Sequence, residues 1–167
     1  MQELLPVILV IPLPLALIWA IVSDIMRLEI PNSIPIILIV AYLFAAVVME
    51  LEYLTILQQL AIGAGTLIVG LGLFAAGILG GGDVKLLAGC VPWLGLDQLP
   101  VFFLLMALAG GLLALATLLL RRFSFNAAWR RSRWFDQLSK GQQKIPYGLA
   151  IGCAGLVVTP NIPILGN

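Results

Sequence analysis

Residues 78–97 read Ile78-Leu79-Gly80-Gly81-Gly82-Asp83-Val84-Lys85 and then LLAGCVPWLGLD, an apolar run interrupted near its start by three consecutive glycines, an acid and a lysine. Whether Val84–Leu96 crosses a bilayer decides the fold. As a helix that segment is about 20 Å long against a hydrocarbon core of roughly 30 Å, so it begins back in the glycines, thins the membrane, or dips in and returns.

The surrounding chain is that of an integral membrane protein. Hydrophobic residues make up 62% of it and charged residues 10%, with a mean hydropathy of +1.12. Its 167 residues have room for five or six spans and no folded extramembrane domain, so 1–167 reads as one transmembrane domain. Met1-Gln2-Glu3 leads straight into apolar residues, without a basic n-region or an Ala-x-Ala site, so the first span is expected to stay. Windows of about 20 residues give spans near Leu5–Val22, Ser33–Met49, Ile56–Leu79, Leu99–Leu120 and Ile145–Leu165.

Charge arbitrates the sixth. Seven of the nine lysines and arginines lie between Arg121 and Lys144, which the positive-inside rule places in the cytoplasm. If Val84–Leu96 spans, Arg27 and Lys85 join them, while Glu3, Glu50, Glu52 and Asp97 face outward. The preferred reading is an all-α bundle of six transmembrane helices, the fourth short, with the N-terminus outside. On that count the connections carrying Asp24 and Asp83 share the cytoplasmic surface, and two acids 59 residues apart can meet.

Absences narrow the chemistry. The chain has no histidine, which excludes a Ser-His-Asp triad, a Cys-His pair and any His-ligated metal. Cys90 and Cys153 stand alone in apolar runs, so they read as small buried hydrophobes and not as a zinc knuckle or a redox pair. No metal or other cofactor is expected. Two carboxylates a few Å apart, however, cannot both ionise comfortably and titrate as a unit. An ionised one can then take a proton from water while the other donates to a carbonyl, the aspartic-protease arrangement. Gly80, Gly81 and Gly82 would give the backbone conformations closed to other residues and let a substrate approach. The bland alternative is an Asp N-cap after an ordinary glycine loop.

Three segments resemble a family. GGGDVKLLA at Gly80–Ala88 looks like the GxGD motif of the type IV prepilin peptidases, membrane aspartic proteases that remove the leader from prepilins. Ser23-Asp24-Ile25-Met26-Arg27-Leu28-Glu29-Ile30-Pro31-Asn32 is similar to the family's first-aspartate segment, and Ile145-Pro146-Tyr147-Gly148-Leu149-Ala150 to its last block. The resemblance implies that Asp24 and Asp83 are the catalytic pair. It also implies a prepilin substrate with a polar leader and an apolar helix, cut after a small residue at the cytoplasmic face of a bacterial or archaeal inner membrane. The full-length enzyme's large first loop, with its CxxC pairs and its link to N-methylation, has no counterpart here. The chain therefore looks like the short, peptidase-only branch serving tight-adherence (Flp-type) pili.

The supporting residues each admit two readings. Pro31 and Asn32 contact substrate or open a helix, with an N-cap preferred for Asn32. Lys85 tunes Asp83, holds the substrate backbone or snorkels to phosphate. Pro146, Tyr147 and Gly148 line the site in the family manner, or Tyr147 is an aromatic-belt residue at a helix start. The segment Arg121–Lys144 interleaves cations with Phe123, Phe125, Trp129, Trp134 and Phe135, which suits anionic lipid better than substrate docking, and far better than nucleic acid at a net charge of +1. The glycines of the third span suit close helix packing. Two rival readings are a GxGD protease of the presenilin and signal-peptide-peptidase kind and a non-enzymatic membrane carrier or assembly factor.

The six-span topology predicts that a single cysteine placed at Glu52 reacts with a membrane-impermeant thiol label in intact cells and one at Gln137 does not; labelling at Gln137 would refute it.

Overall fold

The computed structural model describes residues 4–120 and 146–162, all helix, turn and loop with no strand among them. Arg121–Lys144, Glu3, Ile145 and residues 163–165, on which expectations were placed, lie outside the described residues. The helices are α1 (Leu4–Val10), α2 (Pro12–Arg27), α3 (Ser33–Val48), α4 (Tyr53–Ala75), α5 (Gly81–Leu120) and α6 (Tyr147–Val158), followed by a 3-10 turn, Thr159–Asn161. Leu4–Arg27, Tyr53–Ala75 and Gly81–Leu119 are long and apolar enough to cross a membrane, and Ser33–Val48 and Tyr147–Asn161 are shorter apolar helices. Large side chains such as Val40, Leu54, Ile68, Leu112 and Val157 lie exposed on their outer faces, as lipid contact requires.

Helix ends explain where the chain turns. At the end of α4, Gly77 takes a φ of 73°; its N–H reaches Phe74 O at 2.9 Å and the Ile78 N–H reaches Leu73 O at 2.9 Å. That double closure is a Schellman cap, and it stops the helix at Ala75, four residues short of the expected Leu79. The same cap ends α3, where Glu50 is left-handed, with Glu50 N–H on Val47 O and Leu51 N–H on Ala46 O. Leu28, also left-handed, ends α2 with its N–H on Asp24 O at 2.8 Å. The first span thus runs past the expected Val22, and Asp24 sits in its last turn, not in the following connection.

The disputed segment starts in the glycines, at Gly81. Its helical run is broken at Gly95, whose φ of 64° and ψ of 169° are open essentially to glycine alone. Before that break α5 packs antiparallel to α4: a Cβ on Gly70 would meet Val84 at 2.6 Å, and one on Gly63 would meet Pro92 at 3.0 Å. Against α3 it runs parallel, with Asn32 beside Lys85, Pro35 beside Gly89 and Leu38 beside Trp93. After the break Gly110 lies against Tyr147 and Ala150, so the run has returned toward the end at which α5 begins. Helix α6 lies antiparallel to α2, through Gly155 on Leu17, Gly152 on Ile21 and Gly148 on Asp24.

In lipid the tails are as apolar as leucine, so these contacts are held by close packing and hydrogen bonds, not by burial of oily surface from water. Trp93, Tyr42 and Phe102 are the largest fully buried side chains. Trp93 Nε1 donates to Leu38 O at 3.0 Å, its ring meets Tyr42 edge-on at 5.8 Å, and the Tyr42 hydroxyl donates to Gln59 Oε1. That chain of contacts ties α3, α4 and α5 together away from the acids. Cys90 is buried, as expected, whereas Cys153 is exposed on α6 and does not fill the core.

The glycine seam gives a direct prediction. Gly152→Leu, which must displace Ile21, lowers the thermal unfolding midpoint in detergent by the equivalent of about 1–3 kcal/mol. Gly65→Ala, which meets nothing within 4 Å, leaves it unchanged or slightly raised. Equal midpoints for both variants would contradict the packing.

Candidate active site

Helices α2 and α4 end, and α3, α5 and α6 begin, at one end of the bundle, where a cavity of about 750 Å³ opens. Asp24 and Asp83 both line it, and their charges are close enough to interact. Each is largely buried, Asp24 at 5% and Asp83 at 8% exposure, so each carboxylate needs polar company.

For Asp83 the backbone supplies it. Asp83 is the third residue of α5, and its Oδ2 accepts the Gly80 N–H at 3.2 Å, as the acid of a capping box does. Asp83 thus lies inside the helix, neither in the preceding connection nor at the N-cap position that the bland alternative gave it, and the bond fixes its carboxylate in the cavity wall. On the other side Gly148, in the first turn of α6, packs closely against the Asp24 carboxylate. Asp24 Oδ2 is fully buried and has no hydrogen-bond partner in the structure.

The glycines serve by their lack of bulk. None of Gly80, Gly81 and Gly82 has a positive φ, so the expectation of special backbone conformations there is not met. A Cβ on Gly80 would stand 2.7 Å from Asp83 Oδ2, and one on Gly82 3.1 Å from Ile30 Cβ. Gly148 is hemmed in the same way: its Cβ would fall 2.7 Å from Asp24 Oδ2 and 2.9 Å from Ile30 Cδ1. Ile30 is thus wedged between the two glycine contacts, holding the connection after α2 between α5 and α6.

Of the remaining expected residues, Gly80, Gly81, Gly82, Lys85, Pro31, Asn32 and Tyr147 line the same cavity as the acids. Pro146 and Gly148 do not; they stand behind Asp24, with Pro146 buried as the N-cap residue of α6. Asn32 occupies the N-cap position of α3 but makes no side-chain cap; its Oδ1 instead accepts from Lys85 Nζ at 2.9 Å, joining the two motifs. Ser23, not singled out by sequence, donates from Oγ to Glu29 O at 2.7 Å and folds the connection back over α2. Its place beside Asp24 was the available signal. Arg27, Glu29 and Phe74 also reach the cavity wall. Among the described residues no group of three or more Cys, Asp or Glu side chains is arranged to hold a metal.

The sequence model of the type IV leader peptidase family matches residues 11–115, a stretch that includes both acids. The chain belongs to that family. No curated protein and no solved structure matches it. It is accordingly a membrane protease of the leader-peptidase kind, and pilin-like proteins are the substrate class that membership implies. The family match stops before α6, yet the fold of this leader peptidase brings Tyr147 into the same cavity and Gly148 against Asp24.

Gly148→Ala pushes a methyl into the buried Asp24 carboxylate and the end of Ile30, so the thermal midpoint is expected to fall by the equivalent of about 1–3 kcal/mol, and an unchanged midpoint would contradict this packing.

Proposed function

We propose that this leader peptidase is an aspartic endopeptidase in which Asp24 and Asp83 form the catalytic pair. The carrying observation is that both carboxylates, from the first and the middle of the chain, line one cavity at a glycine-packed end of an apolar bundle. With one proton between them, the ionised carboxylate removes a proton from water as its oxygen bonds to the scissile carbonyl carbon. The protonated partner gives its proton to the carbonyl oxygen. The tetrahedral diol then collapses, the nitrogen leaves with a proton, and the pair returns to its starting state. No histidine is available to share this work.

The substrate in this reading is a Flp-type prepilin, its leader in the cytoplasm and its apolar helix in the bilayer. Residues 28–32, the whole connection from α2 to α3, hold no cysteine and leave no room for the large first loop of the full-length enzymes, which favours cleavage without N-methylation. Six spans with the N-terminus outside, in the inner membrane, remain the preferred topology. The return of Gly110 to Tyr147 after the break at Gly95 supports it, as does the concentration of cations in the sequence between α5 and α6.

Coexpression of a Flp-type prepilin with the wild-type protein is expected to give a mobility shift, and the mature product's mass to lack an added methyl group. Asp24→Asn and Asp83→Asn are each expected to slow cleavage at least about 100-fold. A processed pilin with either variant would favour a carrier or scaffold. A cut in mid-membrane would favour a presenilin-like protease, and a methylated product would overturn the peptidase-only reading.

A further inference from the structure

Beside the acidic cavity lies a second hollow of about 570 Å³, and its chemistry is different. Helices α3 and α4 both pack on the first part of α5 but scarcely touch one another, leaving a lipid-facing groove between them. Its floor includes Ala88 and Gly89 of α5, one wall Ile36 and Val40 of α3, and the other Ala64 and Leu67 of α4. Along each helix the lining residues recur at helical spacing, so a single stripe of each is presented to the groove. The lining is apolar except at one end, where Asn32 and Lys85 belong to both the groove and the acidic cavity.

We propose that this groove seats the apolar helix of the pilin-like substrate and delivers its cytoplasmic end to the two aspartates; the inference rests on the leader-peptidase reading. Three observations argue for a helix of that kind. The groove is continuous with the cavity through Asn32 and Lys85, whose 2.9 Å hydrogen bond marks the junction. Lys85 lies two residues beyond Asp83, about 3 Å further along the axis of α5, so a chain leaving the groove there arrives beside the carboxylates. Small residues on the floor and on the α4 wall, Ala88, Gly89 and Ala64, let a helix backbone approach closely, which is how helices associate in lipid. From Lys85 to Pro92 the floor is about 10 Å long, enough for two turns of a docked helix. The apolar groove would then set where the cut falls, by fixing how far the helix rises before the chain bends into the wet cavity.

Two measurements test it, both with a Flp-type prepilin as the probe. A photoreactive benzoylphenylalanine at Val40, in the groove wall, is expected to cross-link to the prepilin, and one at Val69, exposed elsewhere on α4, is not. Ala64→Leu, which fills the groove, is expected to raise KM about ten-fold more for the intact prepilin than for a peptide that ends before the apolar helix. Cross-linking at Val40 only to lipid, or only to residues 121–145 of the chain itself, would overturn the proposal, as would equal effects of Ala64→Leu on both substrates. A prepilin that cross-links at Val40 yet is not cleaved by the wild-type protein would leave the groove standing and remove the protease reading instead.

Discussion

A buried carboxylate in an apolar bundle is costly, and both of those at this site sit at the ends of helices. Asp83 accepts the N–H just before its own helix, whereas Asp24 keeps one buried oxygen without a partner against the start of α6. In hydrocarbon an unsatisfied polar group costs several kcal/mol, whereas an interhelical hydrogen bond contributes on average only about 0.6 kcal/mol. An unpartnered polar group therefore costs more than any one such bond returns, and a place where helices start or stop limits that cost for both acids. Chain direction follows from this: α2 must end, and α5 and α6 must begin, on one side.

Close approach is the second condition, and glycine meets it twice over. At the site, Gly80, Gly82 and Gly148 remove the atoms that would otherwise strike Asp83, Ile30 and Asp24. Away from it, Gly63, Gly70, Gly152 and Gly155 draw α4 onto α5 and α6 onto α2. The same backbone proximity that replaces hydrophobic burial in lipid brings the acids together, so packing and chemistry are not separable here. Trp93, Tyr42 and Gln59 lock the opposite part of the bundle with a few directional contacts, leaving the cavity end comparatively open.

Much of this was legible in residue order. Hydropathy located the helices, and the motif segments named residues that the fold gathers around one cavity. The misreadings have local causes. Ser23, Asp24 and Arg27 lower the local hydropathy and so mimic a connection, yet the helix continues until Leu28 turns left-handed. The end of α4 was set four residues late because Ala76, Ile78 and Leu79 are as apolar as the helix before them; only the cap at Gly77 reveals the stop. For Gly80, Gly81 and Gly82 the sequence showed that bulk was absent but not that space, as distinct from conformation, was the reason. The Asn32–Lys85 bond joins residues 53 apart, and no spacing rule could have offered it.

Asp24 leaves the ribosome early, whereas Gly148, which packs against it, follows only after α3, α4 and α5. The wall behind this acid is therefore completed by a segment far along the chain, and until that segment is made the carboxylate lacks its neighbour.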